Sequence, residues 1–219
     1  MLKLANYSVN RQIYSSANSL VYRGTSQEDN HPVILKLLRE NYPTPAELTR
    51  YKQEYHLTHQ LNLEGVIKAE ALLEYGNSLI IVFEDFGGDS LKHLLSQQSF
   101  SLLETLEIAL KIINSLGQIH QAGIIHKDLN PANIVYNPTT QHLKIIDFGI
   151  ATQLTKENLT LKNPSVLEGT LAYVSPEQTG RMNRQLDYRS DFYSLGVTLY
   201  ELLTGNLPFD THDPLELLH

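Results

Sequence analysis

Residues 125–134 read Ile-His-Lys-Asp-Leu-Asn-Pro-Ala-Asn-Ile, and residues 143–149 read Leu-Lys-Ile-Ile-Asp-Phe-Gly. The second stretch ends an apolar strand on a carboxylate, Asp147, and the first carries Asp128 and Asn133. Mg²⁺ binds oxygen ligands from one or two carboxylates and usually shares them with substrate phosphates. Taken singly, each of these residues is typical of a turn or a cap. Together, in this order, they favour a centre for a hard cation and a phosphate.

Two charged residues nearer the N-terminus interrupt apolar patterns. Lys36 lies in the β-rich run 33–38, where it shares a strand face with Ile34, and Glu54 falls on the same helical stripe as Tyr51. A lone charge on an apolar face is costly, so the two residues explain each other if they form an ion pair. The alternative is a lysine that snorkels to solvent and an exposed glutamate.

The chain divides by pattern into a strand-rich first part and a helical second part. One helix interrupts the first part: Thr44 as N-cap, proline next and Glu47 form a capping box, and the helix extends to about Leu61. A second capping box, Ser101 with Glu104, begins another helix. Apolar residues recur along that helix at helical spacing, namely Leu102, Leu106, Leu110, Ile113 and Leu116.

A further helix is predicted over about residues 190–204 and ends at Gly205. It is apolar on nearly all sides, so we expect it to be buried. Two short strands are predicted before it, near residues 133–136 and 143–146.

Composition excludes several classes of protein. Of the 219 residues, 42% are hydrophobic and 19% charged, which is the globular range, and the net charge of −7 disfavours nucleic acid as a partner. Cysteine is absent, so disulfides and thiolate chemistry are excluded. Short apolar runs and a polar N-terminus predict neither a membrane span nor a signal peptide. We therefore expect a cytoplasmic protein that contacts neither nucleic acid nor membrane.

In this order, the polar residues resemble the motifs of the protein kinase family. The matching segments are Val33-Ile34-Leu35-Lys36, the helical Glu54, His126-Lys127-Asp128 with Asn133, Asp147-Phe148-Gly149, residues 169–177 (Gly-Thr-Leu-Ala-Tyr-Val-Ser-Pro-Glu) and Asp191. The resemblance covers the chain from about Tyr7 to its last residue. Thr170 is typical of the serine/threonine branch. Residues 175–195 look closer still to bacterial kinase modules that begin long signalling proteins ending in a sensor histidine kinase.

The resemblance implies an α+β, bilobal kinase-like fold. Residues 1–86 would form a small lobe of antiparallel sheet with one helix, and residues 87–219 a larger helical lobe. Residues 213–216, Asp-Pro-Leu-Glu, begin a helix just before the chain ends at His219. We therefore expect the C-terminal helices of the larger lobe to be missing, which would leave Glu177 without its usual arginine partner.

The resemblance also implies transfer of the γ-phosphate of Mg-ATP to a protein hydroxyl. Asp128, Lys36 and Glu54 would be catalytic, and Asn133 with Asp147 would hold Mg²⁺. The cofactor, ATP, would contact five positions: Ile13, Val21, Lys36, Glu84 and Phe86. The expected partners are a protein substrate and, beyond it, downstream signalling domains or a partner chain.

Several positions depart from the family pattern. The three glycines of the phosphate loop are replaced by Tyr14, Ser16 and Ser19, Asn130 stands in place of a lysine that contacts the γ-phosphate, and Lys127 replaces an arginine. Lysine cannot form arginine's bidentate fork, so we expect little dependence on activation-segment phosphorylation. The alternatives to an active kinase are a catalytically weak, pseudokinase-like binding or scaffold module, and a truncated kinase fragment.

Overall fold

A computed structural model of the chain describes residues 4–39, 42–153, 170–179 and 186–209. The chain divides into two compact units. The first comprises Met1–Asn62 and Val66–Gly87, and the second comprises Leu63–Gly65 and Gly88–His219. The predicted helix at residues 213–216 lies outside the described residues.

The first unit contains a five-stranded antiparallel sheet and one helix. In chain order the elements are β1 (Tyr7–Ser15), β2 (Ser19–Ser26), β3 (Pro32–Leu38), α1 (Pro45–Gln60), β4 (Ala69–Tyr75) and β5 (Ser78–Glu84). The strand order in the sheet is β1-β2-β3-β5-β4. The fully buried side chains of Val33, Leu35, Ile80 and Val82 form a core on the central strands β3 and β5. The pairing of β3 with its neighbouring strands sets the position of Lys36 in the sheet.

Helix α1 begins as the sequence predicts. Thr44 Oγ1 accepts from the Glu47 N–H at 3.3 Å, and the Glu47 carboxylate accepts from the Thr44 N–H at 2.8 Å. The helix packs on β4 and β5 through a stripe that includes Tyr51, Glu54 and Leu57. The capping box thus sets the start of the helix, and the stripe turns Glu54 inward.

Gly24, the one glycine left near the phosphate-loop positions, serves the packing of the sheet. A Cβ at this position of β2 would lie 2.6 Å from the Ser8 carbonyl oxygen on β1. That distance is shorter than any ordinary van der Waals contact, so β1 and β2 approach each other closely only because residue 24 has no side chain.

The second unit is mainly helical. Its elements are β6 (Asp89–Ser90), α2 (Leu91–Gln97), α3 (Leu102–Gln121), β7 (Ile124–Ile125), β8 (Ile134–Tyr136), β9 (Leu143–Ile145), β10 (Thr152–Gln153) and α4 (Arg189–Thr204). Strands β6, β8 and β9 form one small antiparallel sheet, and β7 pairs with β10. The predicted α+β architecture, with a sheet-rich first part and a helical second part, is confirmed.

The expectation that α4 is buried on nearly all sides is wrong. Val197 and Leu202 lie in the core, but Phe192 is 50% exposed, Tyr200 45% and Leu203 54%. The buried face of α4 is largely polar, because it carries Ser190, Asp191, Ser194 and Thr198 as well. The distribution of apolar residues around α4 therefore does not identify the face that is buried.

Helix α3 has the predicted bounds and capping box, but its core face differs from the apolar set quoted above. Of that set only Leu116 is buried, while Leu102, Leu106, Leu110 and Ile113 are exposed. The core face instead carries Ile108, Ile112 and Ile119. Both faces are apolar, so helical spacing alone cannot say which of them is buried.

A histidine between two carboxylates joins the β2–β3 turn to β4. His31 Nδ1 lies 2.5 Å from Asp29 Oδ1, and His31 Nε2 lies 2.9 Å from Glu70 Oε2. The hydrogen bonds to Glu70 and then to Asp29 raise the pKa of His31, and the hydrogen bond to His31 lowers the pKa of Asp29. Both shifts indicate that the protonated imidazole is favoured in the folded chain.

We expect this cluster to make the stability of the chain depend on pH. A histidine whose pKa is raised on folding stabilises the native state fully below its ordinary value of about 6.5, and that contribution disappears as the pH rises through the raised pKa. The melting temperature of wild type should exceed that of His31→Gln at about pH 6, and the gap should close by about pH 9. A gap that is constant across this range, measured by thermal denaturation, would contradict the expectation.

Helix length and hydropathy also bear on membrane insertion. Within the described parts of the chain, no helix is long and apolar enough to cross a membrane.

Candidate functional site

The first unit brings Lys36 and Glu54 together. Lys36 Nζ donates to both carboxylate oxygens of Glu54, at 2.7 and 2.8 Å, and the Glu54 side chain is 2% exposed. The ammonium also lies 5.6 Å from the centroid of the Tyr51 ring. These contacts answer the question left open by the sequence, because a snorkelling lysine would not form a bidentate pair with a buried carboxylate.

The other predicted nucleotide-contacting residues of this unit lie on β1, on β2, at the end of β5 and just after it. Val21 on β2 is the cross-strand partner of Lys36, and Ile13 on β1 is 42% exposed. Glu84 ends β5, where its carboxylate accepts from the Lys68 N–H at 2.9 Å, and Phe86 follows two residues later. Their contact with a nucleotide stays a prediction.

Serine side chains close the turn where the family has its phosphate loop. Ser16 Oγ accepts from the N–H of Ser19 at 3.0 Å and lies 3.1 Å from Ser19 Oγ. Arg39 Nη1 donates to the Ser16 carbonyl at 2.8 Å. The turn between β1 and β2 is therefore held by serine-to-backbone hydrogen bonds, and Arg39 fixes it to the end of β3.

In the second unit the Asp128 carboxylate is held from both sides. Its Oδ1 atom accepts from the Thr170 N–H at 2.9 Å and from Asn130 Nδ2 at 3.1 Å, and its Oδ2 atom accepts from Asn133 Nδ2 at 3.0 Å. Burial raises the pKa of Asp128, and the nearby Asp147 charge acts in the same direction. The result is an oriented carboxylate that is a stronger base than an exposed aspartate.

Asn133 and Asp147 lie at the same end of the β8–β9 pair. Ile134 on β8 is the partner of Ile145 on β9, and the Ile146 N–H donates to the Asn133 carbonyl at 2.9 Å. The Asn133 amide nitrogen donates to Asp128, which leaves the Oδ1 atom of the same amide as the group that could bind a cation. A carboxylate and an amide oxygen at this edge fit the ligand preference of Mg²⁺.

A buried aspartate on α4 anchors the loop that carries Asp128. Asp191 is fully buried, and it accepts from the backbone N–H of His126 at 2.9 Å and of Lys127 at 2.7 Å. Its Oδ2 atom also lies 2.8 Å from His120 Nε2 on α3. The sequence pattern identified Asp191 but missed His120, since a histidine near a helix end carries no specific signal.

His126 links the same loop to the strand before Asp147. Its Nε2 atom lies 3.0 Å from the Ile146 carbonyl oxygen, and its Nδ1 atom accepts from the Asp128 N–H at 3.3 Å. A carbonyl can only accept, so this geometry assigns the proton to Nε2 and leaves Nδ1 as an acceptor. The ring is fully buried and makes an edge contact with Phe148. These contacts order the loop and engage both ring nitrogens.

Asn130 occupies the position of the family's lysine with a neutral amide. Its Nδ2 atom donates to Asp128 Oδ1 at 3.1 Å and to Thr170 Oγ1 at 3.2 Å, and its Oδ1 atom accepts from the Ala132 N–H at 2.9 Å. One side chain therefore bridges Asp128 to the end of the activation segment and caps the following 3₁₀ turn.

We expect Asn130→Ala to lower kcat about tenfold, the size of one hydrogen bond to a charged group. The substitution removes an amide donor from Asp128 and the bridge to Thr170, so the carboxylate is less well oriented. Asn114→Ala, at an exposed position of α3, is the matched control and should leave kcat unchanged. Equal kcat values for the two variants in steady-state assays would contradict the role given to Asn130.

The end of the activation segment is bound to α4. The Tyr173 hydroxyl donates to the Glu201 carboxylate, and Ser194 Oγ donates to the Tyr173 carbonyl at 2.8 Å. Burial, followed by the hydrogen bond to Glu201, raises the pKa of Tyr173, so the phenol stays protonated. Glu177, for which the sequence predicts the loss of the family's usual arginine partner, accepts from Ser190 Oγ at 2.7 Å.

Comparison with known proteins assigns the family. A family model described as "Protein kinase domain" matches residues 7–218. The chain is 32% identical over 217 residues to the serine/threonine-protein kinase PknL of Mycobacterium tuberculosis, covering 98% of this chain and 53% of that protein. It is 33% identical to the serine/threonine-protein kinase pkn3 of Myxococcus xanthus, covering 94% of this chain and 39% of that protein.

These matches show that the chain belongs to the protein kinase family, which confirms the resemblance identified from its motifs. The relatives are serine/threonine kinases by name. The chain spans about half the length of PknL and less of pkn3. Members of the family use ATP, typically with Mg²⁺, to phosphorylate proteins.

Proposed function

We propose that the chain transfers the γ-phosphate of Mg-ATP to serine or threonine hydroxyls of a protein substrate. The observation that carries the proposal is the Asp128 carboxylate, which is held by Asn130, Asn133 and Thr170 and whose pKa is raised by burial. An oriented, basic carboxylate is what the acceptance of a hydroxyl proton requires.

The remaining roles are those that membership of the protein kinase family implies for the matching side chains. Lys36, oriented by Glu54, would bind the α- and β-phosphates, and Asn133 and Asp147 would hold Mg²⁺, which neutralises phosphate charge. Adenine would bind along the backbone of Glu84 and Phe86, and Ile13 and Val21 would contact the nucleotide as well. Residues 1–86 and 87–219 are proposed as the two lobes, and signalling domains beyond the chain as further partners.

In the proposed step the substrate hydroxyl oxygen forms a bond to the γ-phosphorus. Asp128 accepts the hydroxyl proton, and the bond between the γ-phosphorus and the bridging oxygen breaks. ADP leaves with that electron pair. The protein contributes mainly position and charge, because the transfer needs little covalent chemistry from its side chains.

A catalytically weak binding module is the second candidate. It is favoured by the serine-closed turn at Ser16 and Ser19 and by the neutral Asn130, since both replace groups that contact phosphates in the family. Such a module would bind ADP or a protein partner without transferring phosphate at a measurable rate.

ATP labelled at different phosphates tests the proposal. We expect label from γ-labelled ATP, but none from α-labelled ATP, to reach the chain itself or a generic basic protein when Mg²⁺ is present. EDTA should prevent the transfer. Folded chain that binds ADP yet incorporates no γ-label would contradict the proposal and favour the binding module.

A further inference from the structure

The segment after β5 is tied to β2 by a partly buried ion pair. Arg23 Nε on β2 lies 3.0 Å from Asp85 Oδ2, and the two side chains are 18% and 9% exposed. The other carboxylate oxygen, Asp85 Oδ1, accepts from the Gly87 N–H at 2.9 Å. The carboxylate therefore forms an ion pair with the sheet through one oxygen and accepts a hydrogen bond from its own segment through the other.

These contacts determine the shape of residues 84–87. The hydrogen bond from Gly87 to Asp85 closes an Asx turn, and Gly87 has a φ of 75°, which favours glycine. The Asp85 N–H also donates to the Pro32 carbonyl at 3.3 Å. Asp85 lies between Glu84 and Phe86, whose backbone groups are the proposed contacts of adenine. A change in the turn would therefore move the atoms that would bind the base.

The Arg23–Asp85 pair also reduces the repulsion between two arginines on β1 and β2. Arg11 on β1 is the cross-strand partner of Arg23, so two cations lie side by side. Like charges directly opposite each other in a sheet are destabilising, and the Asp85 carboxylate offsets that repulsion. Because the pair is mostly buried, solvent screens it less than an exposed pair.

We propose that Arg23 and Asp85 are positioning residues for the nucleotide base: they hold the Glu84–Phe86 backbone in the orientation that receives adenine. The inference rests on the proposed function, since it assumes that this backbone contacts the base. It predicts that the ion pair contributes to binding of the base and leaves binding of the phosphates unaffected.

Two ligands separate these contributions. ADP has a base, whereas tripolyphosphate has none. Both are titrated with Mg²⁺ against wild type, Arg23→Met, Asp85→Asn and the double variant. We expect the Kd for ADP to rise about fivefold in each single variant, or about 1 kcal/mol, while the Kd for tripolyphosphate changes less than about twofold. The double variant should be no weaker than either single variant, because both break the same pair.

Two further variants complete the experiment. Arg23→Lys keeps the charge and should retain most of the ADP affinity. Arg189→Met breaks an exposed ion pair with Asp187 in the other unit and should change neither Kd. Thermal denaturation without ligand shows whether each variant is folded.

If the folded variants bind ADP as wild type does, or lose affinity for ADP and tripolyphosphate equally, the positioning role of the ion pair is wrong. Either result leaves the proposed kinase function intact. Wild type that binds no ADP overturns the proposed function and, with it, this inference.

Discussion

Replacement of Asp128 by asparagine is expected to lower the rate of phosphoryl transfer about 10³-fold, the usual contribution of a positioned general base. The amide keeps the shape of the side chain and can still accept from the Thr170 N–H. It cannot take the hydroxyl proton, and its NH₂ group would meet one of the donors that now bind the carboxylate. ATP does not depend on this group for binding, so KM for ATP should change little.

Steady-state release of ADP in the presence of a protein substrate measures both constants. Asp89→Asn is the matched control, since Asp89 is exposed in the same unit and has no proposed role in catalysis. Transfer by Asp128→Asn within about tenfold of wild type would contradict the role of Asp128 as the base.

The pH dependence of wild type provides a second test of Asp128. Since burial raises the pKa of this carboxyl, it becomes protonated at a higher pH than an ordinary aspartate. We expect kcat/KM to fall on the acid side at a pH above the usual aspartate value of about 3.9. Loss of activity only below that value, in a range where the chain remains folded, would contradict the raised pKa.

Replacement of Asp191 by alanine is expected to lower the free energy of unfolding by about 3–5 kcal/mol. Asp191 is fully buried, and alanine would leave the N–H groups of His126 and Lys127 and the His120 ring without their acceptor. The loop that carries Asp128 would lose its anchor on α4. We therefore expect phosphoryl transfer to fall in the variant even where it remains folded.

Urea denaturation followed by circular dichroism measures the change in stability. Glu107→Ala is the matched control, because Glu107 is an exposed carboxylate on α3 of the same unit and such surface substitutions usually change stability by about 0.5 kcal/mol or less. A loss of less than about 1 kcal/mol for Asp191→Ala would show that the buried carboxylate is not the anchor of the loop.

Much of the fold could be predicted from local sequence chemistry. The capping boxes at Thr44 and Ser101 set the starts of α1 and α3 because each uses neighbouring residues alone. The Lys36–Glu54 pair could be anticipated because two charges in apolar patterns are each costly without a partner. The capping boxes join residues three positions apart, and the ion pair is indicated by the cost of leaving either charge alone on an apolar face.

Burial and long-range contacts could not be predicted in the same way. Helices α3 and α4 carry apolar residues on more than one face, so their patterns do not say which face reaches the core. The bonds from Thr170 to Asp128 and from His120 to Asp191 join residues far apart in the chain. Only the three-dimensional fold brings those groups together.

The departures from the family pattern illustrate the same limit. Serine in place of glycine at position 16 predicts a weaker phosphate loop. The hydrogen bond by which Ser16 closes the turn with Ser19 depends on backbone geometry, which the sequence does not give. At position 130 the sequence indicates only that a cation is lost, whereas the structure shows that the Asn130 amide bridges Asp128 and Thr170. Sequence comparison identifies such replacements, and the structure shows which contacts they make.

The identity of the phosphorylated amino acid tests the central proposal most directly. Wild type and Asp128→Asn are incubated with γ-labelled Mg-ATP and a generic basic protein, and the labelled protein is hydrolysed and its phosphoamino acids separated. The proposed function predicts phosphoserine or phosphothreonine from wild type and none above background from the variant. Equal label from the two proteins, label on tyrosine alone, or no label from folded wild type would contradict it.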